Sequence, residues 1–141
     1  MSKRTEGWIS TLMSGLEHNV DEETCAKILE QCGRQCQSPA SINKAKRIYA
    51  ETGDMRRFLE KLSKEHRHLH LEGDKVYLVY PRCYCSRVSK MPKGELSKTY
   101  CLCSLGWAKA LFEGALGRPV EVSLEKSVIG GDDECRLRVM L

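Results

Sequence analysis

The sequence predicts an α+β fold in which N-terminal helices pack on an antiparallel β-sheet, with a crossing helix and a C-terminal β-hairpin. Three observations predict it. Apolar residues recur at helical spacing in the first half, they alternate from residue 66 onwards, and one more helical segment precedes two strand-like segments. With 141 residues and no linker or repeat, we expect a single domain, helical over 1–64 and α+β over 65–141.

Four helices are predicted in the first half. Residues 5–17 form the first, with Trp8, Leu12 and Leu16 on one side. The second runs from Asp21 to Cys36 and ends before Ser38-Pro39, and the third covers 40–51 and stops at Thr52-Gly53. Asp54 can cap the fourth. Its apolar stripe is Met55, Phe58, Leu59 and Leu62.

The second half predicts two hairpins with a helix between them. Residues 66–71 and 76–80 alternate around a Glu72-Gly73-Asp74 turn. A polar loop over about 86–98, with Met91-Pro92-Lys93-Gly94 at its tip, leads to a helix over 104–116 that Gly117 closes. Strands over 120–128 and 135–141 flank a turn at 130–133.

Composition excludes several classes of protein. No segment has the roughly 20 apolar residues of a membrane span, so we expect no membrane partner. The basic N-terminal residues precede no apolar stretch of the kind found in a secretory signal, which predicts a cytoplasmic protein. A net charge of +4 is too small to indicate nucleic-acid binding by itself.

The cysteines are the main functional signal. Eight are present, and four form the motifs Cys83-Tyr84-Cys85 and Cys101-Leu102-Cys103, separated by 15 residues. Because paired cysteines in a reducing cytosol more often bind metal than form structural disulfides, we predict a four-thiolate zinc site, with an iron–sulfur cluster as the alternative. On strands, each pair would present both sulfurs to one face. The other interpretation is that these residues are small buried hydrophobes.

Three further cysteines are second-tier ligand candidates, namely Cys32, Cys36 and Cys135. Cys32 and Cys36 share a helix face, but they also lie on the apolar stripe of Cys25, Ile28 and Leu29, which favours core packing. His66, His68 and His70 alternate and would share one strand face. Since Leu69 and Leu71 take the opposite face, we expect these histidines to point to solvent.

The last forty residues resemble the 4-vinyl reductase domain. The shared elements are a Cys101 or Cys103 strand end leading into Gly106-Trp107, the segment Leu116-Gly117-Arg118-Pro119-Val120, the Gly131-Asp132 turn and Cys135. The resemblance implies a small-molecule-binding or sensory module. It also implies a zinc-type site to which Cys101 and Cys135 would contribute. Leu124 and Ser127 stand where that family has an acid and a second Cys, Glu125 lies one residue out of register, and Leu137 replaces an aromatic residue.

We therefore predict a small-molecule or metal-binding module with a sensory or regulatory role and without turnover. A pocket between the helix and the hairpin would be lined by five residues, each of which has the hydrophobic core as its alternative place: Tyr80, Tyr100, Trp107, Leu111 and Phe112. The first alternative is a thiol-dependent hydrolase or reductase that uses Cys101 or Cys103. The sequence also allows a homodimer that forms through the sheet or the N-terminal helix.

A winged-helix-like DNA-binding regulator is the third class of function. Residues 40–80 have the order helix, helix, hairpin and carry a basic stretch. Acidic residues interleave with it, as on ordinary solvated helices, so we do not expect nucleic-acid binding. The basic residues are Lys44, Lys46, Arg47, Arg56, Arg57, Lys61, Lys64 and Arg67, and the acidic ones are Glu51, Asp54, Glu60 and Glu65.

Overall fold

The computed structural model describes residues 2–92 and 95–141 and confirms the α+β class. Lys93 and Gly94 of the predicted loop tip lie outside the described residues. The elements are α1 (Lys3–Asn19), α2 (Glu22–Cys36), α3 (Pro39–Thr52), α4 (Met55–Glu65), β1 (Leu69–Glu72), β2 (Lys75–Tyr80), a 3-10 helix (Lys98–Leu102), α5 (Cys103–Leu116), β3 (Glu121–Lys126) and β4 (Cys135–Met140).

Local capping sets the ends of most helices. The side chains of Ser2, Asp21 and Ser38 each accept a hydrogen bond from the backbone N–H three residues later, and this satisfies a donor that the first helical turn leaves free. Gly53 and Gly117 end α3 and α5 at φ values of 62° and 71°, a left-handed conformation that favours glycine. Asp54 begins α4 as predicted, but its carboxylate makes no capping hydrogen bond in the described structure.

The sheet has the order β1-β2-β4-β3, and every neighbouring pair is antiparallel. The last strand of the chain therefore lies in the centre, where Leu137 pairs with Leu78 on one side and with Leu124 on the other. A register shift between Leu124 and Lys126 turns Glu125 toward Arg136, with 3.0 Å between Glu125 Oε1 and Arg136 Nε. Cys135, at the start of β4, consequently lies beside the end of β2, opposite Tyr80.

Two hydrophobic clusters hold the chain together. The larger joins α3, α4 and α5 to the sheet, with Phe58, Leu78 and Phe112 fully buried. The smaller joins α1 and α2 to the 86–98 loop, which buries Val88, Met91 and Leu96. The prediction of a merely polar loop was wrong, because its three apolar side chains attach it to the helices.

Helix α1 buries a different face from the expected one. Ile9 and Met13 are buried, whereas Trp8 and Leu12 are 66% and 46% exposed. The shift by one residue turns Trp8 outward, since neighbouring residues on a helix are about 100° apart.

A homodimer that uses this helix or the sheet stays a prediction. None of the described helices combines the length and the apolar character that crossing a membrane requires.

Helices α2 and α5 lie in direct backbone contact. A Cβ atom placed on Gly33 would lie 1.6 Å from the Cys103 carbonyl oxygen, and one on Gly106 would lie 1.9 Å from that of Glu30. Ion pairs flank this contact, with 2.9 Å between Lys109 Nζ and Glu30 Oε1 and 2.9 Å between Arg34 Nη1 and Glu113 Oε1. Glycine at both crossing points therefore lets α5 bring Cys103 against α2.

Candidate functional site

A cavity of about 400 Å³ opens between α2, α5, the start of β4 and the segment that follows β2. Six of the eight cysteines border it, together with tyrosine, tryptophan and arginine side chains. The sulfur-bearing, aromatic and charged residues that border it are Cys36, Cys83, Cys85, Cys101, Cys103, Cys135, Tyr80, Tyr84, Tyr100, Trp107, Arg82 and Arg87.

Both Cys-x-Cys motifs reach the cavity, although neither lies on a strand. Strand β2 ends at Tyr80, so Cys83 and Cys85 follow it in irregular chain, while Cys101 lies in the 3-10 helix and Cys103 begins α5. The strand geometry that we predicted for the pairs was therefore wrong. The two motifs meet because β2 and the 3-10 helix end on the same side of the sheet, beside Cys135.

Three cysteines form what we call the first thiol group, defined as Cys83, Cys101 and Cys135. Burial, with smaller contributions from the nearby Cys135, Cys103 and Cys83 thiols, raises the pKa of Cys101 to about 12. Burial also raises the pKa of Cys83, on which Cys135 acts as well. The three sulfurs are thus close enough to influence one another, and they carry protons at neutral pH.

A buried serine orients this group. Ser127 is fully buried, and its hydroxyl donates to Cys101 Sγ at 3.0 Å. The hydroxyl in turn accepts from the Gly130 N–H at 3.2 Å, while the Asp132 carboxylate accepts from the Ser127 N–H at 2.8 Å. The Val128 N–H lies 3.4 Å from Cys135 Sγ. Ser127 was not predicted as a site residue. The sequence feature that could have identified it is its position, since the resemblance to the 4-vinyl reductase domain implies a cysteine where this chain has Ser127.

The second thiol group consists of Cys36, Cys85 and Cys103. Arg87 Nη1 donates to Cys36 Sγ at 3.6 Å, and its charge also acts on Cys85. Cys85 Sγ lies 3.3 Å from the Tyr100 hydroxyl. Burial, with smaller contributions from the nearby Cys85 and Cys36 thiols, raises the pKa of Cys103 to about 12. This group lies between α2 and the segment after β2.

The second-tier cysteines separate in the structure. Cys36 and Cys135 border the cavity, whereas Cys32 is exposed and is not among its bordering residues. The core packing that we favoured for Cys32 and Cys36 is wrong, because both are exposed and the buried position of this helical turn belongs to Gly33. The close approach of α5 leaves no room there for a side chain.

The five residues predicted to line the pocket also separate into residues at the cavity and residues in the core. Tyr80, Tyr100 and Trp107 border the cavity. Leu111 and Phe112 do not: they are 2% and 0% exposed and pack in the larger hydrophobic cluster. Their prediction as pocket residues was wrong, because both lie on the side of α5 that packs in the core together with Leu105 and Ala108.

Two of the three histidines contact the aromatic rings that border the cavity. Strand β1 begins at Leu69, after His66 and His68. His66 packs edge-on against Trp107 with 6.0 Å between ring centroids, and His68 lies 4.5 Å from the Tyr80 ring. The expectation that they face solvent was wrong for both, and among the three only His70 is exposed. No shared metal-binding face results.

Four of the eight residues of the basic stretch pair with nearby acids. Lys44 pairs with Glu65 at 2.6 Å and Lys61 with Glu51 at 2.9 Å, so α3 and α4 are joined by their own charges. Arg56 pairs with Glu60 at 3.3 Å, and Arg57 lies 4.0 Å from Asp54. These pairs favour the solvated-face interpretation over a DNA-binding surface.

The raised thiol pKa values predict low reactivity. At pH 7.5, Cys101 and Cys103 should alkylate roughly 100-fold more slowly than exposed Cys32, because so little of either buried thiol is ionised. Peptide mass spectrometry during iodoacetamide labelling measures each rate, and labelling in denaturant is the control. Labelling of either thiol as fast as Cys32 would favour the thiol-dependent enzyme.

Among residues 2–92 and 95–141, no three Cys, His, Asp or Glu side chains are already arranged to hold a metal ion.

A family model described as "Family of unknown function (DUF6144)" matches residues 1–141. No curated protein matches the chain.

A solved structure shares the fold. It is subunit 3 of a trafficking protein particle complex from Naegleria fowleri, covalently bound to palmitic acid. The TM-score is 0.57 and the sequence identity 14%, over 96% of this chain and 90% of that one. At this identity, the similarity shows the fold alone.

Proposed function

The chain belongs to this family of unknown function, and we propose that it is a binding module that holds a thiophilic metal ion on its cavity thiols, with room beside them for a small molecule. The observation that carries the proposal is the meeting of six of eight cysteines at one cavity of about 400 Å³. If these cysteines were only small core residues, we would not expect them to meet at one cavity from α2, the segment after β2, the 3-10 helix, α5 and β4.

The first thiol group supplies the primary ligands. Cys83, Cys101 and Cys135 influence one another, and Cys85 and Cys103 each lie two residues from one of them. Thiolate sulfur is the ligand that tetrahedral zinc prefers, and an iron–sulfur cluster is the alternative with the same ligand chemistry. Because no three described ligands are already in place, binding requires these side chains to rotate toward a common point.

A sensory or regulatory role in the cytoplasm fits this chemistry better than catalysis does. A reducing compartment keeps the thiols available. The resemblance of residues 100–141 to the 4-vinyl reductase domain also supports a ligand-binding module. The raised pKa values of Cys101 and Cys103 weigh against the thiol-dependent enzyme, which needs an activated thiolate.

Metal analysis tests the proposal directly. Protein purified without oxygen or chelator, or reconstituted with Zn²⁺, should contain about one zinc per chain and show no colour. The double variant Cys101→Ser, Cys135→Ser should lose the zinc, and the control Cys32→Ser should keep it. Brown protein with iron would instead identify the cluster. Absence of metal after reconstitution would overturn the proposal.

Metal affinity should also depend on pH in a defined direction. The pKa values of Cys83, Cys101 and Cys135 are raised by burial, so these thiols must release protons as they bind Zn²⁺. The affinity should therefore rise from pH 6 to pH 8. Competition with a chromophoric chelator measures it, and calorimetry in two buffers of different ionisation enthalpy counts the protons. A pH-independent affinity would contradict thiol ligation.

A further inference from the structure

The charged side chains that border the cavity are of one sign, although Asp132 and Glu134 lie near enough to Cys135 to influence its pKa. Arg82 and Arg87 border it, and no acidic side chain among the described residues does so. Glu125, the nearest candidate by sequence, points away and pairs with Arg136, as does Glu134 at 3.8 Å.

Both guanidinium groups have weak partners. Arg87 donates to Cys36 Sγ at 3.6 Å, and cysteine sulfur is a weak acceptor compared with a carboxylate or sulfonate oxygen. Arg82 lies over the Tyr84 ring, 4.4 Å from its centroid. Within residues 2–92 and 95–141, neither arginine forms an ion pair with an acid. Each can therefore accept an anion without giving up a strong contact.

Aromatic rings lie beside these charges. Tyr84 packs edge-on against Tyr80 at 5.6 Å between centroids, and Tyr80 packs edge-on against Trp107 at 6.4 Å. Burial raises the pKa of Tyr80, so its hydroxyl stays neutral. The cavity thus combines a wall of aromatic and sulfur atoms with two cationic groups. This wall suits the body of a planar molecule, and the arginines suit a negative substituent on it.

We propose that the small molecule bound in this cavity is an organic anion with a planar aromatic body and a carboxylate or sulfonate group, which Arg82 and Arg87 recognise. The inference rests on the proposed function insofar as this cavity is the binding site. It does not require the metal, because arginine side chains and aromatic rings would recognise the anion whether or not the neighbouring thiols hold an ion.

Two fluorescent probes that share one ring system test the charge requirement. 8-Anilinonaphthalene-1-sulfonate is anionic, and N-phenyl-1-naphthylamine is its counterpart without the sulfonate. In the variant Arg82→Gln, Arg87→Gln, the Kd of the anionic probe should rise about tenfold or more, equivalent to about 1.4 kcal/mol, while that of the neutral probe changes less than about twofold. Arg118→Gln, an exposed arginine at the end of α5, is the control and should change neither.

The outcomes separate this inference from the proposed metal site. The Arg82→Gln, Arg87→Gln variant should still bind zinc, because neither arginine belongs to the first thiol group. An unchanged affinity for the anionic probe, or an equal loss for both probes, overturns the anion inference. A circular dichroism spectrum and a Tm equal to those of the unsubstituted chain show that the arginine variant is folded, so an equal loss cannot be attributed to unfolding.

Discussion

Gly33→Ala is expected to destabilise the chain by about 3 kcal/mol, the upper part of the range for overpacked sites. The added Cβ would lie 1.6 Å from the Cys103 carbonyl oxygen and 2.6 Å from its carbon. These are backbone atoms of α5, so no side-chain rotation relieves the clash. The helices must move apart, and buried contacts along α2 and α5 are lost with them.

Urea unfolding followed by circular dichroism measures this effect. Gly15→Ala is the matched control, because Gly15 also lies inside a helix but has nothing within 4 Å of its Cβ position. That substitution should stabilise the chain by up to about 1 kcal/mol through helix propensity alone. If the two variants proved equally stable, the close contact of α2 with α5 would be wrong.

The same variant should weaken metal and probe binding. Cys36 lies on α2 and Cys103 on α5, so helix separation would move these thiols apart and widen the cavity. Loss of binding in a folded Gly33→Ala chain would connect the helix contact to the site.

Phe112→Ala should cost about 3–5 kcal/mol of stability, the usual range for removing a buried aromatic ring. Phe112 is fully buried and belongs to the larger hydrophobic cluster, which also contains Leu78 and Leu137. Because it lies in the core and not at the cavity, the Kd of the anionic probe should stay within about twofold under conditions where the variant is folded.

Thermal and urea unfolding give the stability change, and Leu12→Ala is the control at an apolar but exposed helix position. That control should change stability by less than about 0.5 kcal/mol. A stable Phe112→Ala chain that no longer binds the probe would place Phe112 at the pocket after all.

The sequence alone was sufficient for the elements of the fold and for the motifs that meet at the site. Helical and alternating periodicities, serine and aspartate caps, and glycine turns are local signals, and they predicted all five helices and both hairpins within a few residues. The Cys-x-Cys pairs and Cys135 were identified because cysteine is chemically distinctive wherever it occurs.

Only the tertiary structure decided which side of each element faces the cavity. Helix α5 is apolar on most sides, so its pattern did not distinguish Trp107 at the cavity from Phe112 in the core. No sequence pattern singled out Arg82 and Arg87, which the packing of distant segments brings to the border of one cavity. Gly33 looked like a weak helical residue, and its role is visible only beside the Cys103 carbonyl. Local sequence patterns indicate the secondary structure of each segment. Which distant segments lie close together depends on how the helices and strands pack.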